Sequence, residues 1–380
     1  FSVLIENLSQ LKAFRDAVNF GMTCKGLTVK LIADIDISNR YWKPIGYNNK
    51  ALELRTINDD PSTAQNVFMG TFDGNNKTIK GLSNFGYNAP AATFWTNNAN
   101  VNGYLYGLFA VTYDAEIKNL NLTDVNIVLT DDPSACVGSF VGAVRGSFTL
   151  DNCSVKGNIE GSDGVGGAVG YVYLIEEDKN ETVNINNVSI EANVHGTIQR
   201  VGGILGSTLV YNLFNDTKSN NTNNFFMRNC SFKGNVTLSE LPKDHPFVWT
   251  GTAEKDKNAR VAGLFAASSS GGWLPDKDTD FTNISVQDFE VSNNTVEGII
   301  SGPRSVGRFF CFHSSGYTHV YSEAINELLA TYVHDNTFVE GGDVRGILFT
   351  DTKPNPDDRR FGPIISLITY LEELTYDPVN

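Results

Sequence analysis

The side chains best suited to chemistry in this chain are carboxylates, because glycan-cleaving enzymes act through paired acids on an exposed surface. Six groups of acidic residues are candidates for such a pair: Asp34 and Asp36; Asp59 and Asp60; Asp131 and Asp132; Glu176, Glu177 and Asp178; Asp276, Asp278 and Asp280; and Asp357 and Asp358. Asp34 and Asp36 alternate with isoleucines, so both face outward from one predicted strand, where we interpret them as a solvated surface. The other groups lie in predicted loops, where solvated acids are ordinary. We therefore expect no catalytic constellation among them.

Metal ligands and nucleophiles are weakly indicated as well. The spacing Asp276-x-Asp278-x-Asp280 begins like a calcium loop, but the following Gly and the distant Glu of a complete loop are absent. His313 and His319 have a ligand-like spacing, but we interpret them as residues of a loop or a strand face. The zinc-protease signature H-E-x-x-H is absent, and no G-x-S-x-G elbow or phosphate-binding loop stands out. We expect no metal and no cofactor, with calcium as the alternative.

Aromatic side chains in long polar insertions are better candidates for binding. The insertions span residues 47–67, 83–104, 171–182, 207–226, 239–258 and 268–280, and they are rich in Asn and Asp. They carry Trp95, Tyr211, Phe247, Trp249 and Trp273. Aromatic rings near amides and carboxylates suit sugar faces or protein partners. The alternative is that these rings pack beneath their own loops.

The elements that would position these loops are copies of a repeated unit. The first half of the unit is a tetrad in which Asn is followed by an apolar, a polar and an apolar residue. Its five copies begin at Asn119, Asn152, Asn187, Asn229 and Asn283. Alternation of this kind is typical of a strand with one buried face.

The second half of the unit is a glycine-rich apolar hexad, most clearly seen at residues 165–170. Its copies begin at residues 105, 137, 165, 201, 261 and 306, and the steps between them are 32, 28, 36, 60 and 45 residues. A constant core with variable spacers is typical of a solenoid whose loops accept insertions. Helical patterns between the strands are almost absent. The sequence therefore predicts an all-β fold, a right-handed parallel β-helix of the pectate-lyase type.

The asparagine that begins each tetrad has two interpretations. We favour an asparagine ladder, in which the amides stack from coil to coil at the strand spacing of roughly 4.7–4.9 Å. The alternative is that Asn serves as a turn residue.

The cysteines are interpreted as buried small apolar residues. Cys153 and Cys230 occupy the same tetrad position two coils apart. Their separation of about 9.5 Å exceeds the ~7 Å limit for a disulfide. The odd number of five cysteines also argues against a disulfide framework.

The repeats divide the chain into three parts. Residues 1–27 form an N-terminal helical cap, because residues 6–20 carry an apolar stripe, with Ser9 as the candidate N-cap and Gly21 as the C-cap. A solenoid needs such a cap over its open first coil. Residues 28–341 form the parallel β-helix with its long loop insertions. Residues 342–380 form a C-terminal cap.

Charge and hydropathy limit the partners. The net charge of −14 and the pI near 4.8 argue against nucleic acid and against anionic membranes. No apolar run approaches the ~20 residues of a transmembrane helix, so we expect no membrane insertion. We expect a monomer that is secreted or carried on the outer surface of a bacterium. Because Phe1 begins in mid-pattern, we also expect that a signal or lipoprotein segment has been removed.

One combination of motifs resembles a known family. Residues 34–82 contain D-I-D-I-S, W-K-P-I-G and F-M-G-T-F-D-G-N-N-K-T-I-K-G-L, and G-L-F and V-G-G repeats follow. This combination resembles the Glug-motif repeat surface proteins of the Bacteroides type, and it covers about residues 25–310. Glug repeats also occur in the non-catalytic repeat regions of bacterial IgA1 proteases and in adhesins. The resemblance implies a secreted or surface β-helix and no settled activity.

These observations favour a secreted or cell-surface binding and adhesion module without a catalytic site of its own. Its expected partner is a host glycan or a host or bacterial surface protein. The alternative is a polysaccharide lyase or hydrolase that acts on a glycan along the β-helix face. A third hypothesis is a structural stalk that spaces another domain.

Overall fold

The chain folds into coils of short strands, each paired with the coils before and after it. A computed structural model describes residues 2–46, 66–83, 85, 91–92, 103–129, 135–174, 180–210, 214–215, 223–239, 260–267, 285–286, 289–311 and 333–347. The first elements are β1 (Ser2–Ile5), α1 (Leu8–Asn19), β2 (Thr28–Leu31), β3 (Ile35–Asp36), β4 (Thr71–Lys80), β5 (Ala91–Ala92), β6 (Gly103–Tyr106), β7 (Phe109–Val128), β8 (Ala135–Gly138), β9 (Val141–Gly161), β10 (Val165–Gly166) and β11 (Val169–Leu174). The next are β12 (Thr182–Gly196), β13 (Arg200–Gly202), β14 (Leu205–Val210), β15 (Phe214–Asn215), β16 (Asn224–Arg228), β17 (Ser231–Leu238), β18 (Arg260–Ala262), β19 (Phe265–Ala267), β20 (Ser285–Val286), β21 (Phe289–Ser292), β22 (Thr295–Gly307), β23 (Phe310–Cys311), β24 (Val333–His334), β25 (Thr337–Phe338) and β26 (Asp343–Ile347).

The register between coils confirms a parallel β-helix. β9 pairs in parallel with β12 from Phe148–Val183 to Gly161–Gly196, and it pairs in parallel with β7 on its other side. Each strand thus bonds to its equivalent in the next coil, as a solenoid requires. Among the described residues, β5 with β6 and β15 with β20 are the antiparallel pairs.

The first hexad positions line the interior. They form one file in which every side chain is at most 1 % exposed: Val137, Val165, Val201, Val261 and Val306. The first copy departs from the predicted alignment, because Tyr106 rather than Leu105 pairs with Val137. Phe109 is again in register with Val141, so the difference of one residue is absorbed between β6 and β7.

Four of the five predicted tetrads share one file. Its asparagines all have a left-handed backbone: Asn119 (φ 54°), Asn152 (φ 51°), Asn187 (φ 52°) and Asn229 (φ 56°). Ser231 pairs with Thr295, so the next member is Asn293 (φ 54°). The fifth tetrad was therefore misaligned, because its Ser285 and Val286 pair antiparallel with β15. Asn283 itself lies outside the described residues.

Amide contacts connect part of this asparagine ladder. Asn152 donates from Nδ2 to Oδ1 of Asn119 at 2.8 Å, and Asn187 donates to Oδ1 of Asn152 at 3.3 Å. Asn229 turns aside and donates to Oδ1 of Asn186 at 3.1 Å. These contacts are exposed to solvent. Both interpretations of these asparagines therefore hold in part. Some of the amides stack, and each asparagine also forms a left-handed corner, which only residues that tolerate positive φ can occupy.

The buried file beside the ladder becomes polar toward the C-terminal end. After Leu120, Cys153, Val188 and Cys230 it continues as Asn294 and Asn336, which are 1 % and 3 % exposed. Asn294 accepts the Cys230 N–H and donates to the Met227 carbonyl, both at 2.9 Å. Because its second residue is polar, the tetrad at 293–296 did not match the expected pattern. Its amide is nevertheless paired, as a buried amide must be.

A helix covers the first coil, as the sequence predicts. Asn7 caps α1 by accepting the Gln10 N–H at 3.0 Å, so Ser9 lies inside the helix and is not its cap. Phe14 is buried, and its ring centroid lies 5.8 Å from that of Phe68 in the core. β1 precedes the helix and pairs in parallel with β2.

The described thiols are buried and free: Cys24, Cys136, Cys153 and Cys230. Burial raises the pKa of Cys24 to about 11 and the pKa values of Cys153 and Cys230 to about 12. These thiols remain protonated near neutral pH and pack as small apolar groups.

Candidate binding face

The residues predicted to bind a partner, and the acidic and histidine groups considered for metal binding or catalysis other than Asp34 and Asp36, lie outside the described part of the chain. This holds for Trp95, Tyr211, Phe247, Trp249 and Trp273, for Asp276, Asp278 and Asp280, for His313 and His319, and for the other acidic groups of the predicted loops. A candidate site must therefore be built from the coils themselves.

Asp34 and Asp36 face outward, as predicted, and both bind backbone. Asp34 Oδ1 accepts the Thr78 N–H at 2.8 Å, and Asp36 Oδ1 accepts the Ser38 N–H at 2.8 Å. Hydrogen bonds from the side chain and the backbone of Ser38 lower the pKa of Asp36. These contacts favour a structural role for the two carboxylates.

One lateral side of the solenoid, which we call the polar face, carries two files of outward side chains. Its rungs are the segments 28–30, 71–73, 116–118, 149–151, 184–186, 226–228 and 290–292. The first file is Thr28, Thr71, Glu116, Thr149, Asn184, Phe226 and Glu290. The second file is Lys30, Asp73, Lys118, Asp151, Asn186 and Arg228, and it ends at Ser292, which is buried. The middle residue of each rung points into the core, and at a strand spacing of about 4.8 Å the face extends about 29 Å.

A cleft of about 450 Å³ lies in the N-terminal half of the polar face. It crosses four coils and is lined by residues 25–28, 69–71, 114–116 and 147–149. Its polar side chains are three threonines of the first file, Glu116, Lys25, Asp114 and Ser147. The lining therefore offers hydroxyl groups in successive rungs together with charges of both signs.

Glu116 is the central charge of the cleft. One carboxylate oxygen accepts the Thr71 hydroxyl at 3.3 Å, and the other lies 3.3 Å from the Lys118 ammonium. The Glu116 and Lys118 side chains are 35 % and 33 % exposed. Ion pairs this exposed contribute little to stability, so the carboxylate can exchange these contacts for those of a ligand.

Two acceptors next to the cleft have no hydrogen-bond partner in the described structure. They are the buried side-chain oxygens of Asn184 and Asn224. Asn184 follows Thr149 in the first file, and Asn224 pairs with Thr182, whose N–H donates to Ser147 Oγ at 3.0 Å.

A charged cluster occupies the C-terminal end of the same face. Glu290 binds Arg228 at 3.2 Å, accepts the Ser292 hydroxyl at 2.8 Å and lies 3.3 Å from His334 Nε2. His334 Nδ1 lies 2.7 Å from Asp335 Oδ2. The cluster thus joins the last described coils, and it also brings an imidazole and a guanidinium beside carboxylates.

This cluster was not predicted from the sequence, because its members come from different coils and Arg228 and Glu290 are separated by 62 residues. The sequence does indicate that part of the cluster lies together, because V-S-N-N-T-V at 291–296 and V-H-D-N-T-F at 333–338 are copies of one pattern. Their alignment places His334 beside Ser292, as the structure does.

Neither a metal centre nor a membrane-crossing helix is found in the described ranges. No group of three or more His, Cys, Asp or Glu side chains there is arranged to hold a metal ion. No helix in those ranges is long and apolar enough to cross a membrane.

Comparisons with known proteins give two similarities. No family model matches the chain. In sequence it is similar to Halomucin of Haloquadratum walsbyi, with 29 % identity over 176 residues, 44 % of this chain but only 2 % of Halomucin. In structure it is similar to a protein of Bacteroides ovatus described as "a putative immunoglobulin A1 protease", with a TM-score of 0.49 and 13 % identity over 90 % of this chain and 83 % of that one. The Glug-motif resemblance therefore rests on its motifs alone.

Proposed function

We propose that this chain is a secreted or cell-surface binding and adhesion module whose polar face holds a glycan along the solenoid axis. The observation that carries the proposal is the cleft lined by polar side chains from four successive coils. A host or bacterial surface protein is the alternative ligand.

Sugar hydroxyls both donate and accept hydrogen bonds, and the cleft matches that requirement. The threonine hydroxyls do both, Glu116 and Asp114 accept, and Lys25 donates. Successive rungs repeat at about 4.8 Å, so a repeating polymer can form similar contacts in each coil. Strand-borne groups are already ordered, which lowers the entropic cost of binding. Stacking of sugars on Trp95, Tyr211, Phe247, Trp249 and Trp273 stays a separate prediction.

The extracellular location is supported by the Glug-like motifs of residues 34–82. The net charge of −14 also fits a protein that must remain dispersed outside the cell.

Obstruction of the cleft tests the proposal. Thr149→Tyr fills the cleft with a strand-compatible side chain. Thr295→Tyr is the matched control, because Thr295 lies on a strand in a different file, between Ser231 and Thr337. On a glycan array followed by calorimetry, we expect Thr149→Tyr to weaken binding at least about tenfold, a loss of about 1.4 kcal/mol. The control should bind like the wild type. No glycan binding by the wild-type protein, or equal losses in both variants, would refute the proposal.

A polysaccharide lyase or hydrolase is the second candidate, and the cluster of Arg228, Glu290 and His334 is the observation that favours it. Basic and acidic groups beside one another on an exposed strand can remove a proton from a sugar and protonate a leaving oxygen. Incubation with a polysaccharide panel should then release unsaturated or reducing ends, and His334→Ala should abolish the release. Intact polysaccharides after incubation with the wild type would exclude this activity.

A further inference from the structure

A serine and a histidine from different coils meet on another side of the solenoid. Ser239 Oγ lies 3.0 Å from His195 Nε2, and His195 Nδ1 lies 2.6 Å from Thr237 Oγ1. When Nδ1 donates its proton to Thr237, the Nε2 lone pair faces the Ser239 hydroxyl. This is the arrangement of a nucleophile, a base and a residue that orients the base.

The three residues are held by the strand ladder. His195 lies on β12 and pairs with Thr237 of β17. The backbone N–H of Ser239 donates to the Gly196 carbonyl at 3.1 Å, which fixes the residue directly after β17. Sites on strands hold their geometry better than sites on loops.

A carboxylate lies one strand away on the other side of the histidine. Glu160 pairs with His195 in the adjacent coil, and its Oε1 accepts the Asn158 amide at 2.8 Å. The coil next to the histidine therefore carries a carboxylate at the paired position.

The rest of the described chain offers informative contrasts. His334, the other histidine in the described ranges, has a carboxylate at each ring nitrogen, Asp335 at Nδ1 and Glu290 at Nε2. Ser231 donates its hydroxyl to the Ser189 hydroxyl at 3.1 Å, so that contact joins two serines and involves no histidine. The Ser239 arrangement therefore differs from an ordinary ladder contact.

We propose that Ser239 is a nucleophile and His195 its general base in the hydrolysis of small acyl esters. Ser239 Oγ attacks the ester carbonyl carbon while its proton passes to His195 Nε2. The carbon–oxygen bond to the leaving alcohol breaks, and the alcohol oxygen takes that proton. Water then attacks the acyl-serine, again through His195, and releases the carboxylic acid and the free serine. Thr237 is a positioning residue that orients the imidazole.

The position of the site sets the class of substrate. All three side chains are partly exposed on a strand face, so the developing oxyanion would be stabilised largely by water. Such a site suits esters, which have better leaving groups than amides. A small acyl group on a hydroxyl of a large polymer is the fitting substrate, because a flat face can approach it without an enclosing pocket.

Covalent labelling with a fluorophosphonate, followed by peptide mass spectrometry, tests the proposal on the whole chain. We expect an adduct at Ser239 and none at Ser231 or Ser189. His195→Gln should slow labelling, and the hydrolysis of p-nitrophenyl acetate, at least about 100-fold. Thr237→Val should lower kcat with little change in KM, and Thr237→Ser should restore it.

Ser231→Ala is the control and should leave the hydrolysis rate unchanged. A wild-type protein that is not labelled at Ser239, or His195→Gln labelled at the wild-type rate, would overturn the proposal. Because Ser239 lies apart from the cleft, Ser239→Ala should still bind glycans. Failure of this activity is therefore distinguishable from failure of the binding function.

Discussion

Asparagine has two different roles in neighbouring files of this solenoid. In the outer file, Asn152 and Asn187 are exposed and supply a left-handed corner. In the inner file, Asn294 and Asn336 are buried and satisfy the backbone around them. Substitutions in the outer file should therefore lower the free energy of unfolding through backbone strain, and substitutions in the inner file should lower it through lost hydrogen bonds.

Asn187→Ala should lower the free energy of unfolding by about 1 kcal/mol, because Ala tolerates positive φ less well than Asn. Asn187→Gly should stay within about 0.5 kcal/mol of the wild type, because Gly adopts this conformation readily. Urea denaturation measures both. Equal losses in the two variants would show instead that the amide contact at 3.3 Å matters more than the turn.

Asn294→Ala should lower the free energy of unfolding by about 1–3 kcal/mol, since the Cys230 N–H loses its acceptor. Asn294→Val makes this position apolar, like the earlier members of the buried file. It should nevertheless lower the free energy of unfolding, because the Cys230 N–H again has no acceptor. If Asn294→Val proved as stable as the wild type in the same urea experiment, packing rather than hydrogen bonding would control this position.

Buried thiols should resist modification in the native protein. Their raised pKa values, about 11 for Cys24 and about 12 for Cys153 and Cys230, mean that little thiolate is present at pH 8. In a Cys311→Ser background, a disulfide reagent should modify the remaining thiols only after denaturant is added. Fast modification of any of them in native buffer would contradict their burial.

At the scale of the coil, glycine defines a second corner. Gly234 pairs with Gly298 in the next coil, and their φ angles are 144° and 135°. A Cβ on Gly234 would lie 1.9 Å from the Ala192 carbonyl oxygen. The spacing between coils therefore leaves no room for a side chain at this position.

Gly234→Ala should lower the free energy of unfolding by about 1–3 kcal/mol more than Gly26→Ala does. Both glycines have positive φ, but a Cβ on Gly26 meets no atom within 4 Å. The difference between the variants in thermal or urea unfolding thus isolates the contact between coils. Equal losses of stability in the two variants would mean that glycine is required at Gly234 only for its backbone conformation and not for the close contact between coils.

The repeat explains how much of the fold could be predicted. Period-two alternation in the tetrads and glycine spacing in the hexads identified the coils, because each coil buries the same positions. The copy at 293–296 was missed where a buried Asn294 replaced an apolar residue and hydrogen bonding compensated for its polarity. The polar face and the Ser239–His195 pair could not be read from a motif, since register between coils brings their members together.

At the scale of the molecule, the solenoid turns a one-dimensional repeat into long faces with distinct chemistry. The polar face has a cleft at its N-terminal half and a charged cluster at its C-terminal end. A rigid, strand-built surface of this kind is suited to an extended ligand, whose contacts repeat with the coils.

Hydrogen–deuterium exchange with and without an oligosaccharide selected on the glycan array tests this account most directly. We predict that the ligand slows exchange chiefly in residues 25–28, 69–71, 114–116 and 147–149, which line the cleft. Protection confined to other parts of the chain, or no protection with any array ligand, would contradict the assignment of the polar face as the binding site.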